Sequence, residues 1–247
     1  DSISKSYKCE ILYNIINLNP KMVLGQVLAL VISLADYFTE GIFAKANPAK
    51  VKFISFAAGV SVAYIFLSLL PEIYTGAITL NKLLFLSTLA GFTIFHLLEK
   101  HIRQYYSRGQ FRKEHRIIHS ASSFLYFFVV GFVLVKITES NSLSGILLFI
   151  PILFHVVIDS LPRRATKKHH LRAVFASSAF LGSITATFVD VGKTTNLALL
   201  GIVGGALLYT VVRESLPRER QGRPLYFTIG LLLFTVLLLI LWGIGYY

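Results

Sequence analysis

The chain has 247 residues, 55% of them hydrophobic and only 15% charged, and its mean hydropathy of +0.67 exceeds what one soluble core requires, so it reads as a membrane protein. A net charge of +12 would suggest nucleic acid in a soluble protein, but here Lys and Arg gather in short runs between apolar segments and read as membrane-flanking loops. The single cysteine, Cys9, excludes an intramolecular disulfide framework and any Cys-rich zinc or iron–sulfur site.

Residues 1–21 are too polar to span a bilayer and form an N-terminal extracytoplasmic or interfacial segment. DSISKSYKCE has neither an initiator Met nor a signal-peptide pattern and reads as a processed or partial start, and ILYNIINL suits a short amphipathic helix on the interface. A spanning helix needs about 20 mostly apolar residues. Eight segments meet that requirement, at approximately 22–44, 53–74, 80–99, 119–137, 143–161, 171–190, 196–215 and 225–246. The expected fold of 22–247 is therefore an all-α membrane domain of eight transmembrane helices with no soluble module.

Loop charges set the orientation, because Lys and Arg are retained on the cytoplasmic side. The loops after segments 1, 3, 5 and 7 carry Lys45, Lys50 and Lys52; Arg103, Arg108, Arg112, Lys113 and Arg116; Arg163, Arg164, Lys167, Lys168 and Arg172; and Arg213, Arg218, Arg220 and Arg223. The other loops carry little more than Lys82, Lys136 and Lys193. The basic loops are thus expected in the cytoplasm, with both termini outside and the odd segments running inward.

Laid over GALLYTVVRESLPR (205–218), the stretch GVSVAYIFLSLLPE (59–72) matches at Gly59 with Gly205 and at Pro71 with Pro217. Segment 2 runs outward and segment 7 inward, so the copies are inverted, an arrangement found in secondary transporters. The simpler reading is that Gly and Pro are common in membrane helices.

FAAGVSVAYIFLSLLPE (56–72), AGFTIFHLLEKH (90–101) and LLGIVGGALLYTVVRESLP (199–217) resemble the second, third and seventh helices of the ZIP family of divalent-metal transporters. The resemblance implies a three-two-three inverted-repeat arrangement and transport of zinc, iron or manganese. It also implies ligands on helices 4 and 5, in motifs written H-N-x-x-D-G and H-E-x-P-H. Imidazole and carboxylate suit that task, since they replace the hydration shell of a borderline cation.

This chain departs from both motifs. With Gly131 on the family glycine, YFFVVG (126–131) puts Tyr126, Phe127 and Val130 at the ligand positions of helix 4, and only Tyr126 has any claim as a ligand. Helix 5, LLFIPILFHVVID (147–159), allows two registers. Placing His155 on the first family His makes Asp159 the second, with Val156 and Ile158 where Glu and Pro belong. Placing Pro151 on the family proline keeps the spacing to the basic loop closer and makes the ligand positions Leu148, Phe149 and Ile152. In either register most of the paired-metal centre is gone.

An ionised side chain at the bilayer centre costs about 2.5–3.5 kcal/mol on insertion scales, which makes each intramembrane charge a functional candidate. His155, Asp159, Asp36, Glu40 and His96 are the candidate ligands of a divalent metal ion in an inward-facing vestibule, with Glu99, Arg213 and Glu214 in the same depth zone. Asp36 with Glu40 and His155 with Asp159 are four apart, so each pair shares one helix face. The plainer reading is helix-end residues that snorkel to water or pair with loop cations. Glu72, beyond Pro71 at the outer end of segment 2, is either interfacial or part of an outer mouth. HRIIH (115–119) has one-turn ligand spacing, but in a loop where Lys and Arg outnumber His it reads equally as a lipid-attracted basic stretch. VGKTT (191–195) lacks the first glycine of a phosphate loop, and His96 with His155 has no motif supporting haem.

Two functions follow as expectations. One is a ZIP-like protein that has lost metal transport and acts as a structural or accessory subunit, with the lipid bilayer and other membrane subunits or a second copy as partners. The other is a divalent-cation transporter using Asp36, His155 and Asp159. No nucleophile, base and orienting group occur together, so no enzyme is expected.

Overall fold

Asparagine and proline mark where the helices begin. In the computed structural model, which describes residues 19–39, 48–106, 112–160, 169–215 and 223–245, the described chain is helical and contains no strand. The helices are α1 (Pro20–Thr39), α2 (Pro48–Tyr64), a π-helical turn (Ile65–Leu69), α3 (Leu70–Thr79), α4 (Leu84–Tyr106), α5 (Arg112–Ser140), α6 (Ser142–Ser160), α7 (His169–Ala176), α8 (Ser178–Phe188), α9 (Lys193–Ser215) and α10 (Pro224–Gly243). The side-chain oxygens of Asn19, Asn81 and Asn141 accept hydrogen bonds from the N–H groups of Lys21 (3.1 Å), Leu83 (2.8 Å) and Leu143 (2.9 Å). These bonds satisfy donors that have no partner inside a helix start.

Five helical stretches are long and apolar enough to cross a membrane: Pro20–Thr39, Val51–Thr79, Ser123–Ser140, Lys193–Arg213 and Pro224–Gly243. Three shorter apolar helices, Leu84–Leu98, Ser142–Ile158 and Ser178–Phe188, fall on the remaining expected segments. Some boundaries differ from expectation. Segment 2 continues beyond residue 74 to Thr79 because a π-turn, in which the Leu70 N–H bonds to the Ile65 carbonyl, absorbs the donor that Pro71 lacks. Glu72 therefore lies half-buried within the helical run. Segment 6 is interrupted at Ser177, where the Phe180 N–H donates to Ser33 Oγ of α1 at 3.0 Å. A neighbouring helix thus satisfies a backbone group that the interruption releases.

The helices pack in two groups, one of α1, α5, α6 and α8 and one of α2, α4, α9 and α10, which meet where α2 touches α6 and where α5 touches α4 and α9. The most extensive pairings, α4 with α9, α2 with α10 and α5 with α8, are each made within a group. All three are glycine crossings. Gly59 faces the Phe227 carbonyl and Gly230 that of Phe56; Gly91 faces Ile202 and Gly205 faces Thr88; Gly131 faces Ala179 and Gly182 faces Phe128. An added Cβ would stand 2.8 Å from Leu231 N at Gly59 and 2.7 Å from Phe92 N at Gly205, so no larger residue fits without moving backbone. Close approach of this kind replaces hydrophobic drive as the source of helix association in lipid.

Each crossing is parallel. Ser55 meets Arg223 and Tyr64 meets Phe234 on either side of the Gly59–Gly230 contact, and Phe124 meets Phe175 below the Gly131–Gly182 contact. The α1–α8 pair is antiparallel, since Gln26 bonds to Thr187 and Ser33 to Phe180. Outward faces stay apolar, as with Leu225, Leu232, Leu233 and Leu239 of α10.

Candidate functional site

The ligand positions implied by the family resemblance come together, but as an apolar seam. Tyr126, Phe127 and Val130 of α5 and Leu148 and Ile152 of α6 are buried members of one hydrophobic cluster, with Phe149 packed against it. Leu148 and Ile152 are each 0% exposed. Spacings of three and four residues put these side chains on one face of each helix. The one-residue turn at Asn141 brings α5 and α6 together as neighbours, and Gly145 gives room for Thr138, whose hydroxyl donates to the Leu134 carbonyl at 2.6 Å.

His155 lies at the edge of this seam, 9% exposed, with its ring edge-on to Tyr126 at 5.7 Å and 6.2 Å from Phe127. Tyr126 in turn meets Phe95 of α4 at 5.0 Å, and Phe154 meets Phe53 and Phe56 of α2 at 5.6 and 5.9 Å. Aromatic rings therefore join the two helix groups at the depth of the imidazole. Val156, which stands at the family Glu position in the His155 register, is fully buried and apolar. The Pro151 register thus places only apolar side chains at the implied ligand positions of helix 5, whereas the His155 register keeps His155 and Asp159.

Asp36 is 7% exposed. It lies about three turns from Gly25 on the same face of α1. Gly25 packs against Val135 and Thr138 of α5. Because α1 and α5 are antiparallel, this register sets Asp36 opposite the Phe124–Phe127 turn and hence at the depth of His155. Both Asp36 and His155 are engaged with other groups of the protein.

The other candidates fall on several helices. His96 is exposed, its ring edge-on to Tyr209 of α9 at 5.5 Å. Asp159 is in the last turn of α6, Glu99 is in α4 and Glu214 is in α9, while Glu40 lies outside the described residues. Among the described residues no three His, Cys, Asp or Glu side chains converge to hold a metal ion. Of the four donors that zinc prefers, the described side chains bring one carboxylate and one imidazole to a shared depth.

Polar ties between helices escaped the sequence reading. Arg172 of α7 lies over the Tyr37 ring, 4.7 Å from its centroid, and donates to the Tyr37 carbonyl at the end of α1. Lys136, expected near a loop, is a largely buried residue of α5 that pairs with Glu139 at 3.7 Å and with Asp190, before α9, at 3.6 Å. The available signal was the pairing of Gln26 and Ser33 seven residues apart on one helix face, which marks the side of α1 that meets α8.

Compared with protein-family models and with curated proteins, the chain matches none.

Proposed function

We propose that this is an eight-span membrane protein of ZIP-like inverted-repeat architecture, with both termini outside, whose metal centre on helices 4 and 5 has been replaced by apolar packing. In this reading it is a non-transporting structural or accessory subunit of a membrane complex. The observation that carries the reading is the seam itself: Tyr126, Phe127, Val130, Leu148 and Ile152 occupy the implied ligand positions and are buried against one another.

The packing supports the architecture. In an alternating eight-span chain, segments 2 and 8, 3 and 7, and 4 and 6 run the same way, and these are the three parallel glycine crossings. An inverted repeat that exchanges segments 2 with 7 and 3 with 8 turns the α2–α10 crossing into the α9–α4 crossing. Gly59 then corresponds to Gly205, as in the sequence match, and Gly230 to Gly91.

A second reading is favoured by one observation, the common depth of buried Asp36 and His155, which suits a relocated cation site. Purification in mild detergent and reconstitution separate the two. Stoichiometric association with a larger complex and absent flux are expected for the subunit, whereas zinc, iron or manganese flux lost in His155→Ala or Asp36→Ala is expected for the transporter.

A further inference from the structure

The second turn of α2 lies beside the start of α10, and each carries a cationic residue. The Lys52 ammonium sits 5.3 Å from the centre of the Tyr226 ring, and the backbone N–H of Arg223 donates to Ser55 Oγ at 3.2 Å. Lys52 and Ser55 are one turn apart on α2, as are Arg223 and Tyr226 around the start of α10, so both cationic residues belong to a single helix–helix contact. No acidic residue occurs in 48–71 or 223–247, and neither cation makes an ion pair among the described residues.

Leu225, Ile229, Leu232 and Val236 are all exposed and continue from this contact as one stripe along α10. Eleven residues from 225 to 236 rise about 16 Å. One leaflet of a hydrocarbon core about 30 Å thick has nearly that depth. A phosphate-sized anion at the cations and an acyl chain along the stripe would fit together, with Tyr226 at the level where membrane-interface aromatics sit.

We infer that Lys52, Arg223 and Tyr226, with the exposed stripe of α10, bind the headgroup and one acyl chain of an anionic phospholipid. The inference uses the α2–α10 pair alone and stands whether or not the protein transports a cation.

The test uses the full chain in nanodiscs with a photoactivatable phosphatidylglycerol, its crosslinks mapped by peptide mass spectrometry. Labelling is expected along 223–236, and Lys52→Gln and Arg223→Gln are each expected to reduce it about fivefold, from the worth of one cation at a lipid surface. Lys52→Arg should retain it, and Lys82→Gln, at the exposed start of α4, should leave it unchanged. Unlabelled phosphatidylglycerol should compete, whereas phosphatidylcholine and inorganic phosphate should not. Competition by phosphatidylcholine as effective as by phosphatidylglycerol, displacement by inorganic phosphate, or full labelling of the folded double variant would overturn the inference. If the double variant fails to fold, competition on the unaltered protein decides.

Discussion

Ile152 and Leu148 carry no polar atom beyond the backbone and are fully enclosed, so in lipid their contribution is dispersion contact with α5. Ile152→Ala is expected to destabilise the protein by about 2–4 kcal/mol through the cavity left in the seam. Leu232→Ala, on the exposed face of α10, should change stability by less than about 0.5 kcal/mol. Reversible unfolding in mixed micelles would compare the two, and equal losses would contradict the burial assigned to Ile152. His155 tests the same region differently. If its imidazole serves as an aromatic ring packed against Tyr126 and Phe127, His155→Phe should keep most of the stability, and His155→Ala should lose an additional 0.5–1.5 kcal/mol or so per ring contact. A ligand role predicts instead that both variants lose metal binding alike.

Between helices, the glycine crossings allow the least substitution. Gly59→Leu and Gly205→Leu are each expected to cost about 3 kcal/mol or more, since the obstructing atoms are backbone. Gly243→Leu, whose Cβ would meet nothing within 4 Å, should be nearly neutral. Detergent melting profiles would rank the three, and a neutral Gly205 variant would remove one arm of the proposed repeat. The places of the apolar helices were legible because each follows an apolar run, though among the described residues only five are long and apolar enough to cross a membrane, and Asn141 announces the α5–α6 turn through its capping chemistry. The π-turn was legible only in part, since Pro71 announces a missing donor but IFLSL itself carries no π-turn signal, and Leu69 of that turn packs against Gly204, far away in sequence. The interruption at Ser177 depends on Ser33, a residue far away in sequence whose hydroxyl takes the Phe180 N–H.

Across the whole molecule, the apolar character of Phe127, Val130, Leu148, Phe149 and Ile152 could be read directly from the sequence, because Phe, Val, Leu and Ile lack lone pairs for a metal whichever way they point. The common depth of Asp36 and His155 could not, since it depends on the α1–α5 register that Gly25 sets against Val135. Nor could the aromatic joint at Phe95–Tyr126 and Phe154, which links the two helix groups. Among the described residues the implied ligand positions are apolar and no three His, Cys, Asp or Glu side chains converge, and the proposed loss of transport rests on these two observations. The most direct measurement is zinc, iron and manganese uptake into proteoliposomes containing the purified chain. The expected result is flux no greater than that of empty liposomes, with Asp36→Ala and His155→Ala indistinguishable from the unaltered protein. Saturable uptake that either substitution abolishes would contradict the account.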